Sequence, residues 1–457
     1  MISRRPISVM RRSCRARALE GVFLMYQNPH HADAGRRLGV IERALLAYER
    51  AHPTVNLGIG GLVLFEGRPP GIHELLGQAP LHLPTQPLMS CGLSPGANRR
   101  SVWRPRPTLD LGLHVRERVL PAGAGRAGLM SLVNELLAVP FTKGEPLWRM
   151  WLIHGYDGEE FAVLYLGHHV LHDGVSAMNN IACVLLGEGG QNGRVRIPRG
   201  SGTGRARPVR VMRGAGRLAS HLYPPAVRLR DEGLTGERRL AWAGTSLERM
   251  RDIGKRHGAT VNTVYLAALT SALRQWSYSP WREIERRGRP LWALVPVSTR
   301  TEGEQNGIDV RIMPERTRLP CDKVHPAEQI ALLKATTEAI RGSAVVDSER
   351  ALRARTPGWL GHFILSRALS PGSTHLLATN VPGTDRPFDL LGRPVREIVP
   401  LSFLPVGHRL AVVLTTYQDQ ARAGFMVDAR FASGADELAA LWSAAIDELD
   451  ASAGPAS

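Results

Sequence analysis

Gly167-His168-His169-Val170-Leu171-His172-Asp173-Gly174 holds the densest set of chemically competent side chains in the sequence. A neutral imidazole accepts a proton near neutral pH, because its unperturbed pKa is about 6.5. A hydroxyl that attacks a carbonyl must lose its proton, and a positioned histidine can take it. Asp173, four residues after His169, suits orienting a ring or bracing the loop, and Gly174 keeps a side chain out of a substrate's approach. The same cluster also fits a satisfied structural group or a metal site, and these eight residues alone leave the choice open.

The neighbours of the cluster place it. Phe161-Ala-Val-Leu-Tyr-Leu166 is a short apolar run of the length of a buried strand, and Val175 to Leu186 reads as a helix. The histidine pair thus stands at a strand end entering a loop, where catalytic side chains tend to collect. Pro146 to Ile153 reads as a second strand. Tyr156-Asp-Gly-Glu159 between the two is a turn signal, so a hairpin delivers the pair.

The chain has 457 residues, enough for two or three domains with sizeable cores. Cys14, Cys91, Cys183 and Cys321 are far apart with no C-x-x-C pair, so a reduced compartment and no structural zinc are expected. The net charge of +17 is carried almost wholly by arginine, the lysines being Lys143, Lys255, Lys323 and Lys334. Such a balance fits nucleic acid, an anionic membrane surface or an anionic substrate, or a coding bias toward arginine. No Cys/His finger or RNP-like aromatic run is present, so nucleic acid is not expected. No apolar segment approaches the ~18 residues that span a bilayer. The basic start, Met1 to Arg17, lacks an apolar h-region, so it reads as a disordered arm, or as a start codon placed too early, rather than an export signal.

Further along, Leu38, Ile41, Leu45, Leu46 and Tyr48 have helical spacing, Gly61 to Phe65 reads as a strand, and residues 68–110 read as loops with short elements. His114 to Val119 reads as a strand and Leu129 to Val139 as a helix. From 187 to 236, Gly, Arg and Pro dominate, the composition of a crossover between domains. Its arginines fit a solvated linker, or steering of an anionic ligand or membrane. Thr245-Ser-Leu-Glu248 reads as a capping box for a helix to His257, and Thr260 opens a longer one. Strands are expected at Leu291–Ser298, Val310–Met313, His375–Asn380, Leu410–Thr416 and Ala423–Val427, then a C-terminal helix with Leu438, Leu441, Trp442, Ala445, Ile446 and Leu449 on its apolar face. Mixed helices and strands in both halves give an α/β (α+β) class with two domains. The expected division is an arm over 1–35, a first domain over 36–186, a linker over 187–236 and a second domain over 237–457.

The H-H-x-x-x-D-G motif is that of acyltransferases resembling chloramphenicol acetyltransferase. Five short segments in order make the chain resemble one family within them, the bacterial wax ester synthase/acyl-CoA:diacylglycerol acyltransferases. These are Pro146-Leu147-Trp148, the histidine motif, Val295-Pro-Val-Ser-Thr-Arg300, Thr379-Asn-Val-Pro-Gly383, and Gly392-Arg-Pro-Val followed by a closing hairpin with Tyr417 and Asp428. The resemblance spans roughly residues 36–450. It departs where Asn262-Thr263 stands in place of an Asn-Asp pair, where Asn306-Gly307 reverses a Gly-Asn, and in having no recognisable family opening before residue 36.

The resemblance implies two chloramphenicol-acetyltransferase-like domains with an active-site tunnel at their interface. It implies an O-acyltransferase that moves a fatty acyl group from acyl-CoA to diacylglycerol or a long-chain alcohol, with no cofactor or metal. His169 would be the general base and His168 a loop support, while Asp173 would be mainly structural, in an ion pair across the interface with Arg300. Gly174, Asn262, Arg300 and Asn380 would lie on the substrate side, and His172, at a variable motif position, would be a bystander. A cytoplasmic chain touching the inner membrane face or a lipid droplet follows from apolar substrates. A related condensation-type acyltransferase acting on a carrier-bound substrate, and a non-catalytic relative, are the alternatives. The Asp-Phe-Gly sequence of the former is absent, and the intact histidine motif argues against the latter.

Overall fold

The structure is a computed structural model. It describes residues 25–28, 35–95, 101–142, 144–185, 226–229, 233–298, 312–342 and 358–452. The first half runs β1 (Met25–Gln27), β2 (Arg36–Arg37), α1 (Val40–Ala51), β3 (Gly58–Glu66), α2 (Ile72–His82), β4 (Cys91–Pro95), β5 (Ser101–Pro105), β6 (Thr108–Asp110), α3 (Leu111–His114), β7 (Val115–Val119), α4 (Gly125–Ala138), β8 (Trp148–His154), β9 (Glu160–His168) and α5 (Gly174–Leu185). The second runs β10 (Arg238–Ser246), α6 (Leu247–Arg256), α7 (Val261–Gln275), α8 (Trp281–Glu285), β11 (Leu291–Ser298), β12 (Ile312–Leu319), α9 (Pro326–Gly342), α10 (Gly358–Ala368), β13 (Leu376–Thr384), β14 (Asp389–Leu390), β15 (Arg393–Leu401), β16 (Leu410–Tyr417), β17 (Gln420–Asp428) and α11 (Ala435–Ala451).

Two six-stranded sheets carry the fold, in the orders β14-β15-β3-β9-β8-β7 and β10-β17-β16-β13-β11-β12. β9 is buried at every position but its first, which suits a strand flanked on both edges and covered on both faces. It forms the expected hairpin with β8, in the register Met150 opposite Tyr165, and pairs on its other edge with β3, Gly58 opposite His168. In the second sheet β13 runs parallel to β11 and to β16, while β16 and β17 make the hairpin signalled by Gln418-Asp419. Gln418 takes a φ of 51°, as a tight turn requires.

β15 joins the halves. It leaves the second sheet after β13, turns at Leu391 and Gly392, both at positive φ, and pairs antiparallel with β3. Residues 389–401 therefore belong to the sheet of the first half, although they lie in the sequence of the second. Gly424 of β17 lets the second sheet approach this strand, since a Cβ there would stand 2.3 Å from the Pro400 carbonyl oxygen.

Several local expectations shift. Met25–Gln27, within the expected N-terminal arm, pairs with β6. The stretch 68–110 contains a full helix, α2, beside the short elements. The cap of α6 is Ser246, the last residue of β10, whose Oγ accepts from the Arg249 amide, one position after the expected Thr245. The strand expected at 310–313 is β12, and it extends to Leu319. Its charged Arg316 and Arg318 hide the apolar alternation, as is usual on a sheet edge. Thr260 caps α7 as expected, but Thr263 is fully buried, its hydroxyl 3.0 Å from that of Thr260 and 3.3 Å from that of Thr337 on α9. It packs α7 against α9. Most of the expected crossover, residues 187–225 and 230–232, lies outside the described residues, as do Met1 to Arg17 and Asn306-Gly307.

Candidate active site

The histidine loop is pinned by its backbone before any side chain acts. The His168 amide donates to the Leu147 carbonyl at 2.8 Å, the His169 amide to Leu57 at 2.9 Å, and the Leu171 amide to His168 at 2.8 Å. Beneath it the His172 ring lies directly over Gly167, where a Cβ would fall 2.0 Å from Nε2. That nitrogen is 3.2 Å from the Tyr165 hydroxyl. His172 is fully buried and packs beneath the loop. Burial, the main cause, pushes its pKa down to about 3.

Hydrogen bonds fix the state of both neighbouring rings. Nδ1 of His168 accepts from the Val170 amide at 3.1 Å, so the proton sits on Nε2, which donates to Glu49 of α1 at 2.9 Å. Both nitrogens of His168 are thereby used. Nδ1 of His169 is 3.0 Å from the His172 carbonyl, which can only accept, so Nδ1 carries the proton and Nε2 is left as the basic nitrogen. Burial, opposed by that carbonyl and by Asp173, lowers the pKa of His169 and keeps it neutral. The ring is steadied by Phe403, with centroids 5.5 Å apart.

His169 lines a cavity of about 120 Å³ between the two sheets. The first half contributes Ile41 and Leu45 of α1, Ile59 and Gly60 of β3, and Gly174, Val175 and Met178 of α5. The second contributes Leu294 of β11, Leu365 and Leu369 of and just after α10, Thr379, Asn380 and Val381 of β13, and Pro400 to Phe403 at the end of β15. The wall is overwhelmingly apolar, with a few polar groups around the imidazole, the usual make-up of a site for an apolar ligand with one reacting centre.

Of the expected site residues, His169, Asp173, Gly174 and Asn380 all face this cavity. Asp173 is buried and caps α5, its Oδ1 accepting from the Ser176 amide at 2.9 Å. Gly174 is confined by Val381, whose Cγ2 would stand 2.6 Å from a Cβ. Asn262, at the start of α7, reaches the cavity indirectly, its Oδ1 accepting from the Asn380 amide at 3.3 Å. His168 stands behind the loop. Arg300 lies outside the described residues, and its pairing with Asp173 with it. Glu49, the α1–α10 wall and the Pro400–Phe403 segment are the site features missing from the sequence reading. The only hint of Glu49 was a carboxylate inside an otherwise amphipathic helix.

Residues 81–222 match the wax ester synthase/diacylglycerol acyltransferase catalytic domain, and residues 315–450 match the C-terminal domain of the same family. A probable diacylglycerol O-acyltransferase of Mycobacterium tuberculosis is 26% identical over 440 residues, covering 88% of this chain and 93% of that protein. A second, putative diacylglycerol O-acyltransferase of that organism is 26% identical over 401 residues, covering 77% and 83%. Among solved structures, the wax ester synthase/diacylglycerol acyltransferase from Marinobacter aquaeolei VT8 superposes with a TM-score of 0.64 at 23% identity, covering 91% of this chain and 98% of that one. The first condensation domain of the CDA synthetase superposes with a TM-score of 0.63 at 17% identity, covering 93% and 98%. The fold is that of these two-domain proteins, and with both family domains matched in order around the H-H-x-x-x-D-G loop, the chain belongs to the wax ester synthase/diacylglycerol acyltransferase family.

Proposed function

We propose that this chain moves an acyl group from acyl-CoA to the hydroxyl of diacylglycerol or a long-chain alcohol, giving triacylglycerol or wax ester, with His169 as the base. Family membership supports the acyl transfer. The observation that carries the mechanism is the ring of His169: protonated on Nδ1 against the His172 carbonyl, it faces an apolar cavity with a neutral imidazole. Nε2 takes the acceptor's hydroxyl proton as the oxygen attacks the thioester carbon. The C–S bond then breaks, and coenzyme A leaves as a thiol with that proton. No covalent enzyme intermediate is required. A positioned base is worth about 10²–10⁴-fold, and holding both substrates in one cavity adds to it.

Other residues support His169 or meet the acceptor. His168, held by Glu49, sets the loop, and Asp173 fixes the start of α5 beside the reacting atoms. Asn380, held by Asn262, offers a polar group to the hydroxyl end of the acceptor. No described helix is long and apolar enough to cross a membrane, and we infer that lipid substrates are met by peripheral contact at the cytoplasmic face of a membrane or at a lipid droplet. Thiol release, measured with a panel of acyl-CoAs against diacylglycerol, long-chain and short-chain alcohols, tests the reading. Release that depends on a hydroxyl acceptor and yields an equal amount of ester is the expected result. Release with no ester formed would overturn it.

A further inference from the structure

The outer face of α10 takes no part in the chemistry above, yet Trp359 is 72% exposed and Phe363 51% exposed. Four residues apart on one helix, they stand one turn above the other. Large apolar side chains presented together to solvent mark a contact surface. The same row continues to Arg367. Beside it lies exposed Arg228: a Cβ placed on Gly372 would be 3.1 Å from Nη1 of Arg367 and 3.5 Å from Nε of Arg228. Neither arginine forms an ion pair among the described residues, and α10 has no acidic side chain. Arg37, exposed, stands three residues before Val40, which packs on Gly361 of α10.

The opposite side of this helix is the cavity wall. Leu365 and Leu369 line the cavity together with Ile41 and Leu45 of α1. One helix thickness, about 10–12 Å, therefore separates the aromatic face from the cavity.

We propose that the Trp359–Phe363 face of α10, flanked by Arg228 and Arg367, docks on an anionic lipid surface and sets the α1–α10 wall of the cavity against the source of the lipid substrates. The role of that surface as a source rests on the acyl-transfer reading above; the docking itself does not. Aromatic side chains beside basic ones on one face are the composition of a helix that lies in a headgroup layer. A protein partner would call for a rim of mixed polarity, whereas the charge here is of one sign.

The test is co-sedimentation of the full chain with phosphatidylcholine vesicles, with and without phosphatidylglycerol. Wild type should prefer the anionic vesicles, less so in high salt. Trp359→Ser with Phe363→Ser should lower partitioning by roughly tenfold, since two apolar side chains stay in water. Arg228→Gln with Arg367→Gln should remove the anionic preference while leaving the aromatic contribution. Both double variants should keep the wild-type melting temperature and turnover with a short-chain acyl-CoA and a water-soluble alcohol, and should lose turnover on diacylglycerol held in vesicles. Wild-type partitioning by the aromatic variant would overturn the proposal. So would equal binding to neutral and anionic vesicles, or self-association through this face with no vesicle binding. Vesicle binding that follows this pattern without acyl transfer to any acceptor would sink the catalytic reading and leave the docking surface standing.

Discussion

His168 donates from Nε2 to Glu49 and accepts on Nδ1 from Val170, so it has no lone pair left for a substrate. His169, one residue on, lines the cavity, and with Nδ1 held by the His172 carbonyl it keeps the lone pair of Nε2. Two identical side chains are thus held in different tautomeric states by their partners. Removing Glu49 should disturb positioning rather than chemistry. Glu49→Ala should lower kcat by about tenfold, within the range of a misplaced catalytic group, while Glu49→Gln, which can still accept from His168, recovers most of it. Equal loss in both variants would mean that the charge matters and not the bond. The motif was legible because its members lie within eight residues of one another. Glu49 was not, because it meets His168 across 119 residues of sequence and only the fold pairs them. The depressed pKa of His169 places the acid limb of kcat/KM below the ordinary histidine value of about 6.5. A limb at or above that value would contradict the burial argument.

Elements were legible where a single segment carries its own period. β9, the β16–β17 hairpin and the cap of α7 follow from apolar runs, a turn and a threonine. β15 was not expected, since its pairing with β3 depends on where the chain goes after β13 rather than on its own residues. The position of α10 against α1 was hidden for the same reason. That contact runs through Gly361, where a Cβ would stand 2.3 Å from Cγ1 of Val40. Because α1 carries Glu49 as well as Ile41 and Leu45, pushing it outward disturbs the cavity and the histidine loop together. Gly361→Val should cost about 1–3 kcal/mol by overpacking and lower turnover as well. A variant of unchanged melting temperature and activity would show that the two helices are free to move apart.

At the scale of the whole molecule the halves are tied through one buried cation. Arg238 of β10 donates to the carbonyls of Gly58 at 2.7 Å and Leu137 at 3.0 Å in the first half, and to Ser402 at the end of β15. Burial lowers its pKa to about 10, which still leaves it charged at neutral pH. Arg238→Met should destabilise the chain by about 3 kcal/mol or more, since hydrogen bonds to a charged group are worth about 1.5–3 kcal/mol each. The measurement is denaturant unfolding of the two proteins side by side. A loss below about 0.5 kcal/mol, the scale of an ordinary surface substitution, would show that the tie is not needed. Buried histidines add a pH dependence. Burial, the largest cause in each case, holds His172 at about 3 and His375 and His408 at about 4. The unfolded chain, with histidines near 6.5, binds more protons in between. Stability is therefore full above about pH 6.5 and is lost as the pH falls toward 4. Melting temperatures that stay level from pH 7 to about pH 4.5 would contradict this.

The proposed chemistry turns on the lone pair of His169 Nε2. The most direct measurement is single-turnover ester formation by His169→Ala beside wild type, with melting temperature as the control for folding. The expected result is a rate lower by about 10²–10⁴-fold with the melting transition retained. A folded variant that forms ester within a few-fold of the wild-type rate would contradict the assignment of the base.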